Sequence, residues 1–152
     1  MGGEAIVKLV QVENYQFAIH FNDELPPFLG DEPPPLGHSS GPSPAQLLVA
    51  AVANCLSDSL LFALRKFKQA PEPIETNAKA EIGRNAENRL RVLAIHVHLK
   101  LGVPAKQLEH LDRVLVQFQD FCTVSSSLHP FIPVHVTVED SLGSVVLSPA
   151  SL

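Results

Sequence analysis

The chain has 152 residues, enough for one domain with a hydrophobic core, and 45% of them are hydrophobic, as in ordinary soluble proteins. Its net charge of −5 and the lack of a basic run argue against nucleic-acid binding. The N-terminus lacks the pattern of a secretory signal, so we expect a cytoplasmic protein whose two cysteines are free thiols or a transient redox pair.

The chain begins with two segments that have the pattern of β-strands, residues 4–12 and 15–21. In the second segment, large apolar side chains occupy every other position, which is typical of a half-buried strand. These positions are Tyr15, Phe17, Ile19 and Phe21. Glu13 and Asn14 separate the two segments by a tight turn, so the sequence predicts a β-hairpin.

Prolines and glycines dominate residues 26–42 and argue against regular structure there. A linker between two domains is one interpretation. A hairpin of roughly 25 residues is not stable alone, so we favour an ordered surface loop within one domain covering residues 1–152. The Asp31-Glu32 pair near His38 suggests acid–base chemistry, but an acid that stabilises a turn is the commoner explanation.

A long central helix is predicted from Ser43 to about Lys68. Ser43 suits the N-cap, Pro44 suits the first helical position, and Gln46 stands at capping-box spacing from the cap. The residues that follow are apolar nearly all round the helix, so protein must cover it on most sides. Asp58 would be costly in the middle of a bilayer, and we therefore expect no membrane span.

Beyond this helix the sequence predicts a second hairpin and then a second helix. The strands are residues 74–83 and 89–101, joined by a polar turn at 84–88. The second helix begins at Pro104, and its apolar side chains recur at spacings of three and four. They are Leu108, Leu111, Leu115, Phe118 and Cys122.

The last part of the chain is predicted as a turn or short helix at residues 125–130 and a strand at 131–138. The tail, residues 140–152, has little pattern and is expected to be partly mobile. Together the elements give an α+β architecture, in which β-hairpins pack around a long central helix and a second helix.

The two cysteines lie on the two predicted helices. Cys55 is midway along the first helix, and Cys122 ends the apolar stripe of the second, so two helices that share a core can bring them together. Cys55 is more than two turns from its helix N-terminus, and it therefore needs a nearby cation to become a thiolate. A buried structural thiol is the alternative, since free cysteine is often buried.

Three motifs in this sequence resemble the OsmC/Ohr family. The first is Asp31–Gly37, read as Asp-Glu-Pro-Pro-Pro-Leu-Gly, and the second is the run from Gly41 to Cys55. The third is Cys122-Thr123-Val124-Ser125, which is similar to the family's Cys-Pro-Val-Ser motif. The predicted order of elements agrees with that family from about residue 4 to residue 138.

The resemblance implies an intertwined homodimer with active sites at the subunit interface and thiol-dependent reduction of organic hydroperoxides, a response to oxidative stress that needs no cofactor. Cys55 would be the peroxidatic residue and become a sulfenic acid, and Cys122 would resolve it to a disulfide. An external dithiol would then reduce the disulfide. The apolar surroundings would suit fatty or aryl hydroperoxides better than hydrogen peroxide.

This chain departs from the hydroperoxide reductases of that family at the group that activates the thiol. Those proteins carry a glutamate ten residues before the reactive cysteine, which holds an arginine from an N-terminal strand against the thiolate. Here that position is Ala45, and the first arginine is Arg65. Five basic side chains are candidates to replace it, and the sequence selects none of them: His20, His38, Arg84, Arg89 and Arg91.

A second function is therefore open, a non-catalytic member of the family that binds a small apolar ligand at the dimer interface. The histidines suggest a third, because His96 and His98 share one face of a predicted strand, and His20 and His135 lie on the less apolar faces of theirs. Such a pattern can bind zinc. A solvated, polar sheet face is the commoner explanation of such a pattern, so we assign no metal.

Overall fold

The computed structural model describes residues 2–149, and the chain divides into two compact units, residues 1–48 and 49–152. The first unit is an antiparallel sheet in the order β1-β2-β3. Its strands are β1 Lys8–Glu13, β2 Gln16–His20 and β3 Phe28–Gly30. A turn at residues 14–15 joins β1 to β2, so the predicted first hairpin is confirmed.

β3 corrects the expectation that residues 26–42 hold no regular structure. This short strand pairs with β2, and Phe28 lies opposite Ile19. The prolines stand on either side of β3 and not within it, so its backbone keeps the groups that the ladder needs. A count of prolines and glycines over the whole loop hides a three-residue strand of this kind.

Asp31 organises the loop that follows β3. Its buried carboxylate accepts hydrogen bonds from the backbone N–H groups of Glu32 at 2.8 Å, His38 at 3.1 Å and Ser40 at 3.0 Å. These bonds, led by that of Ser40, lower the pKa of Asp31. Gly37 is required here, since a Cβ atom would collide with the carbonyl oxygen of Glu32. Asp31 is thus an acid that stabilises a turn.

The long central helix, α1, runs from Pro44 to Lys66. Its start has both bonds of a capping box, because Gln46 N–H donates to Ser43 Oγ at 3.2 Å and Ser43 N–H donates to Gln46 Oε1 at 2.9 Å. At the other end, Arg65 donates twice to the carboxylate of Glu72. The predicted helix and its cap are confirmed.

With 23 residues and a mean hydropathy of 2.0, α1 is long and apolar enough to cross a membrane, as the core helices of some soluble proteins also are. Other parts of the protein bury four of its large apolar side chains completely: Val52, Leu56, Leu60 and Leu64. Its single acid, Asp58, accepts a hydrogen bond from Asn54 on the exposed side. These features favour a helix that packs against protein.

The second unit contains a four-stranded sheet in the order β4-β5-β6-β7. Its strands are β4 Glu75–Arg84, β5 Leu90–Lys100, β6 Val134–Glu139 and β7 Val145–Leu147. β5 and β6 are parallel, and the other neighbours are antiparallel. The predicted second hairpin and the strand after it are confirmed.

β7 corrects the expectation that the tail has little pattern. It pairs with β6 through a turn held by Asp140, a buried residue whose Oδ1 accepts from the N–H groups of Leu142 and Ser144. Its Oδ2 accepts from Ala105 N–H at 2.8 Å. Residues 150–152, the end of the predicted mobile tail, lie outside the described residues.

The second helix was predicted as one continuous element from Pro104 to Cys122, and this is wrong. The segment consists of a 3₁₀ turn at Ala105–Gln107, helix α2 at Leu111–Gln117, a 3₁₀ turn at Phe118–Phe121 and helix α3 at Thr123–Leu128. His110 interrupts it with a left-handed backbone (φ 60°), and Cys122 interrupts it with an extended one. The apolar stripe is nevertheless buried as its spacing predicts. The α+β class, with two sheets and three α-helices in residues 2–149, is confirmed.

Candidate functional site

The second unit brings the thiols of Cys55 and Cys122 together. Cys55 lies on α1, in a turn that hydrogen bonds fix to the sheet: Ser57 donates to Ala53 O at 2.8 Å and accepts from Thr76 of β4 at 2.6 Å. Cys122 lies at the N-cap of α3. Both thiols are free; Cys55 is half-buried, whereas Cys122 is fully buried. Two neighbouring free thiols are the reactants of an intramolecular disulfide.

The first backbone N–H groups of α3 are hydrogen-bond donors to the two sulfur atoms. A helix leaves its first N–H groups without partners in the helix. Ser125 N–H donates to the Sγ atom of Cys122 at 3.4 Å. The N–H groups of Val124 and Thr123 act on the Sγ atom of Cys55. Sequence reasoning missed this role for Thr123 and Val124, because it depends on a helix that begins directly after Cys122.

The pKa of the Cys55 thiol is raised above its ordinary value. Partial removal from water is the largest cause, since it disfavours the charged thiolate. The N–H groups of Val124 and Thr123 lower the pKa, while the hydrogen bond and charge of the neighbouring Cys122 thiol raise it. The balance leaves Cys55 mostly protonated at neutral pH.

The sequence analysis predicts a cation beside Cys55, but within residues 2–149 no cation is among the groups that shift the pKa of this thiol. Arg84 and Arg91 donate to backbone carbonyls of their own hairpin, those of Asn88 and Leu90. Arg89 is exposed in the same hairpin. The other two candidates lie in the first unit, where His20 ends β2 and His38 lies in the loop after β3.

A basic side chain that the sequence analysis did not consider as a ligand group lies further along α1. The Nζ atom of Lys66 is 5.7 Å from the ring centroid of Phe62 and 5.8 Å from that of Phe121. Phe121 is the residue directly before Cys122. The sequence predicts the contact between Phe62 and Lys66, since these residues are four apart on a helix. No sequence pattern near Phe121 predicts its contact with Lys66.

The histidines occupy the polar face of the second sheet. His96 stacks on His135 with their ring centroids 5.0 Å apart, and both line a shallow groove of about 320 Å³ with His98. His96 pairs with Glu81 at 3.1 Å, and His98 pairs with Glu139 at 3.2 Å. In the part of the chain that the structure describes, no three histidine, cysteine or acidic side chains are arranged to hold a metal ion. The zinc hypothesis gains no support.

A sequence model of the family OsmC-like protein matches residues 37–137, a range that contains both cysteines. No curated protein matches the chain.

Solved structures share the fold at low sequence identity. An OsmC-like protein of unknown function from Vibrio cholerae is 16% identical, with a TM-score of 0.73 over 89% of this chain and 99% of that chain. An organic hydroperoxide resistance protein from Elizabethkingia anophelis is 17% identical, with a TM-score of 0.72 over 93% and 100%. One from Bacillus subtilis is 14% identical, with a TM-score of 0.69 over 90% and 98%. At such identities the likeness establishes the fold.

Proposed function

Because the chain belongs to the OsmC-like protein family, we propose that it is a thiol-dependent peroxidase that reduces organic hydroperoxides in the response to oxidative stress. The observation that carries the proposal is the pairing of a half-buried free thiol, Cys55, with a fully buried one, Cys122. Two proteins of the same fold are named for resistance to organic hydroperoxides, which supports this choice of substrate.

The reaction uses the two thiols in turn. The Cys55 thiolate attacks the outer oxygen of the hydroperoxide, the O–O bond breaks, and the alkoxide takes a proton and leaves as an alcohol. Cys55 is then a sulfenic acid. The Cys122 sulfur attacks the Cys55 sulfur, a water molecule leaves, and an intramolecular disulfide forms. An external dithiol supplies two electrons and two protons and restores both thiols.

The backbone N–H groups of Val124 and Thr123 take the place of the cation in this proposal. They lower the pKa of Cys55 but do not overcome the effect of burial. A protein with this site therefore reacts slowly at neutral pH, since only the thiolate is nucleophilic. The rate should increase as the pH approaches the raised pKa of Cys55.

The single domain, the homodimer and the cytoplasmic location are parts of the same proposal. A second copy would cover apolar side chains that the second unit exposes, among them Phe62, Val116, Phe121 and Phe131. Neither nucleic acid nor membrane has a part in this proposal, which includes no cofactor.

The test is thiol titration after one equivalent of cumene hydroperoxide, with Cys122→Ser as the matched variant. The parent protein should lose both thiols and gain an intramolecular disulfide by mass. Cys122→Ser should stop at a sulfenic acid on Cys55, which dimedone traps. If Cys55 in the parent stays reduced for many minutes at pH 8.5, the peroxidase proposal fails.

The raised pKa of Cys55 favours one other function, binding of a small apolar ligand by a protein in which Cys55 is a packing residue. In that case neither thiol reacts with cumene hydroperoxide at any pH at which the protein is folded, and an apolar ligand raises Tm.

A further inference from the structure

The polar face of the second sheet carries basic side chains that the proposed peroxidase does not use. We propose that this face binds a tetrahedral oxyanion, which is phosphate or the phosphate group of a small monoester. Lys79, His96, His98 and His135, which line one groove there, would hold the anion. None of them belongs to the cysteine pair, so the inference goes beyond the proposed function and can be tested without it.

The strand register places three of these basic side chains in one row. Lys79 of β4 lies opposite His96 of β5, and His96 lies opposite His135 of β6. Strands are about 4.8 Å apart and rows on one face about 7 Å apart, so two rows of three fit in a patch of about 10 Å by 7 Å. The second row consists of Asn77, His98 and Thr137.

This face is the one that does not pack on α1. Side chains alternate between the two faces of a strand, and Ile95 and Val97 of β5 are buried on the other face. α1 lies against that other face too, because Ser57 is hydrogen-bonded to Thr76 of β4. Most of the apolar side chains assigned above to the homodimer contact belong to helical segments. That contact therefore does not need the polar face.

The row of basic side chains contains no acid. Like charges that lie directly opposite each other on neighbouring strands repel, and Lys79, His96 and His135 are such neighbours when the imidazoles are protonated. In the part of the chain that the structure describes, neither Lys79 nor His135 forms an ion pair with an acid. A bound anion would relieve the repulsion and supply the negative partner that both groups lack.

Two glutamates fix the other two imidazole rings. Glu81 Oε1 is 3.1 Å from Nε2 of His96, and Glu139 Oε2 is 3.2 Å from Nε2 of His98. A hydrogen bond at one ring nitrogen fixes the ring and leaves the other nitrogen, Nδ1, for a ligand. Neither glutamate is among the residues that line the groove. The carboxylates thus orient the rings without occupying the site.

The donors in the groove favour an oxyanion over other small ligands. A metal ion would be repelled by the ammonium of Lys79, and within residues 2–149 no three ligand side chains are arranged to hold one. A carboxylate offers two acceptor oxygens, whereas a phosphate group offers three or more. Lysine, protonated histidine, asparagine and threonine side chains all donate hydrogen bonds. Two rows of such donors suit the larger number of acceptors.

The charge of this face should depend on pH. Histidine is the side chain that ordinarily gains a charge between about pH 8 and pH 5. The other charges on the face balance, since three acids accompany three cations. Within residues 2–149, strand alternation places them as Glu75, Lys79, Glu81, Arg91, Lys100 and Glu139. Three added protons therefore make the face positive, and we expect the anion to bind more tightly at low pH.

The experiment uses sulfate as the probe, because its charge is constant over the range in which histidine titrates, about pH 5 to 8. The NMR signals of the histidine rings are followed as sodium sulfate is added, with the ionic strength held constant by sodium chloride. Sulfate should bind at least about tenfold more tightly at about pH 5.5 than at about pH 8, the combined effect of three exposed charges.

Two variants separate the constant charge from the charges that change with pH. Lys79→Gln should weaken sulfate binding about twofold to fivefold at both pH values, whereas His135→Gln should weaken it by such a factor only at the lower one. The matched controls are Lys106→Gln, in the 3₁₀ turn after β5, and His38→Gln, in the loop after β3. They remove the same groups elsewhere and should leave sulfate binding unchanged.

Inorganic phosphate and phenyl phosphate distinguish the two sources of the anion. Both should compete with sulfate, and tighter binding of phenyl phosphate would assign the site to a monoester, whereas equal or weaker binding would assign it to the free ion. The inference is overturned if no histidine signal shows a saturable shift at the lower pH or if sulfate binds equally at both pH values. Equal effects of Lys79→Gln and Lys106→Gln would also overturn it. No step uses a peroxide, so failure of the peroxidase proposal leaves these results unaffected.

Discussion

The two cysteines lie in segments that are built in different ways. Cys55 is on α1, an unbroken helix of 23 residues with a capping box at its start and the Arg65–Glu72 ion pair at its end. Cys122 lies between a 3₁₀ turn and the six residues of α3. The long helix holds one thiol partly open to water, and the broken segment folds the other into the core.

The interruption of the helix at Cys122 provides the two thiols with backbone hydrogen-bond donors that a continuous helix would not provide. In a continuous helix, the N–H groups of Thr123, Val124 and Ser125 would be bonded to carbonyls four residues earlier. Because Cys122 has an extended backbone, α3 begins anew after it, and these donors are free for the two sulfur atoms. An irregular segment thus supplies the polar groups, and a regular one supplies a fixed thiol.

Alkylation should show the largest difference between the two thiols. With iodoacetamide at pH 8, we expect Cys55 to react at least about a hundredfold faster than Cys122, which reacts only when the fold opens. Mass spectrometry of the tryptic peptides 9–65 and 114–152 separates the two. In guanidinium chloride the rates should become equal. Comparable rates in the folded protein would contradict the difference in burial between Cys55 and Cys122.

The pH dependence of Cys55 is the next largest effect. Since its pKa is raised, the thiolate fraction is small at pH 7, and the alkylation rate should rise about tenfold per pH unit. This rise should continue beyond the pH at which free cysteine levels off. Cys122→Ser should move the curve to lower pH, because the neighbouring thiol raises the pKa. A plateau below that of free cysteine would mean that a cation activates Cys55.

Local signals in the sequence were sufficient for α1, the two hairpins and the burial of Cys122. The capping box at Ser43 and Gln46 is a local interaction, and so is the strand alternation that predicts β2. The motif resemblance led to the family that the sequence model then matched. Each of these depends on residues close together in the chain.

What the sequence did not predict depends on contacts between distant residues. The break at His110 belongs to a region where the ring of Phe67 packs on that histidine and Gln69 accepts from Glu109 N–H. β7 forms because Asp140 holds its turn and also reaches Ala105. The cluster of Lys66 with Phe121 joins two segments in the same way. The periodicity of one segment contains no signal for such contacts.

The reductant should also discriminate between the two sulfurs. In the oxidised protein, we expect an incoming thiol to attack Cys55, because Cys122 is buried, so that Cys122 leaves as a thiolate beside Ser125 N–H. Diamide can prepare the disulfide whether or not the protein is a peroxidase. After a brief pulse of glutathione and an acid quench, peptide 9–65 should carry at least about ten times more mixed disulfide than peptide 114–152. The opposite distribution would show that the buried sulfur is the accessible one.

The smallest expected effects come from substitutions at the residues that hold the two cysteine-bearing segments in place. Ser43→Ala removes the cap of α1 and should lower Tm by about 2–4 °C, without changing the alkylation ratio of the two thiols. Asp140→Asn weakens the bonds to Ala105, Leu142 and Ser144 at the entry to the broken segment, so Tm should fall similarly and Cys122 should gain reactivity relative to Cys55.

Low pH should reduce the difference in Tm between the parent protein and Asp140→Asn. The pKa of Asp140 is lowered in the fold, chiefly by the Ala105 N–H bond, so its stabilisation is present above the ordinary aspartate pKa and is lost as the pH falls through the folded value. The Tm gap between parent and Asp140→Asn should therefore narrow in acid, while the gap for Ser43→Ala should not. Thermal melts between pH 7 and about pH 3 measure both gaps. A constant gap for Asp140→Asn would mean that the charge of Asp140 does not hold this segment, and that packing alone keeps Cys122 buried.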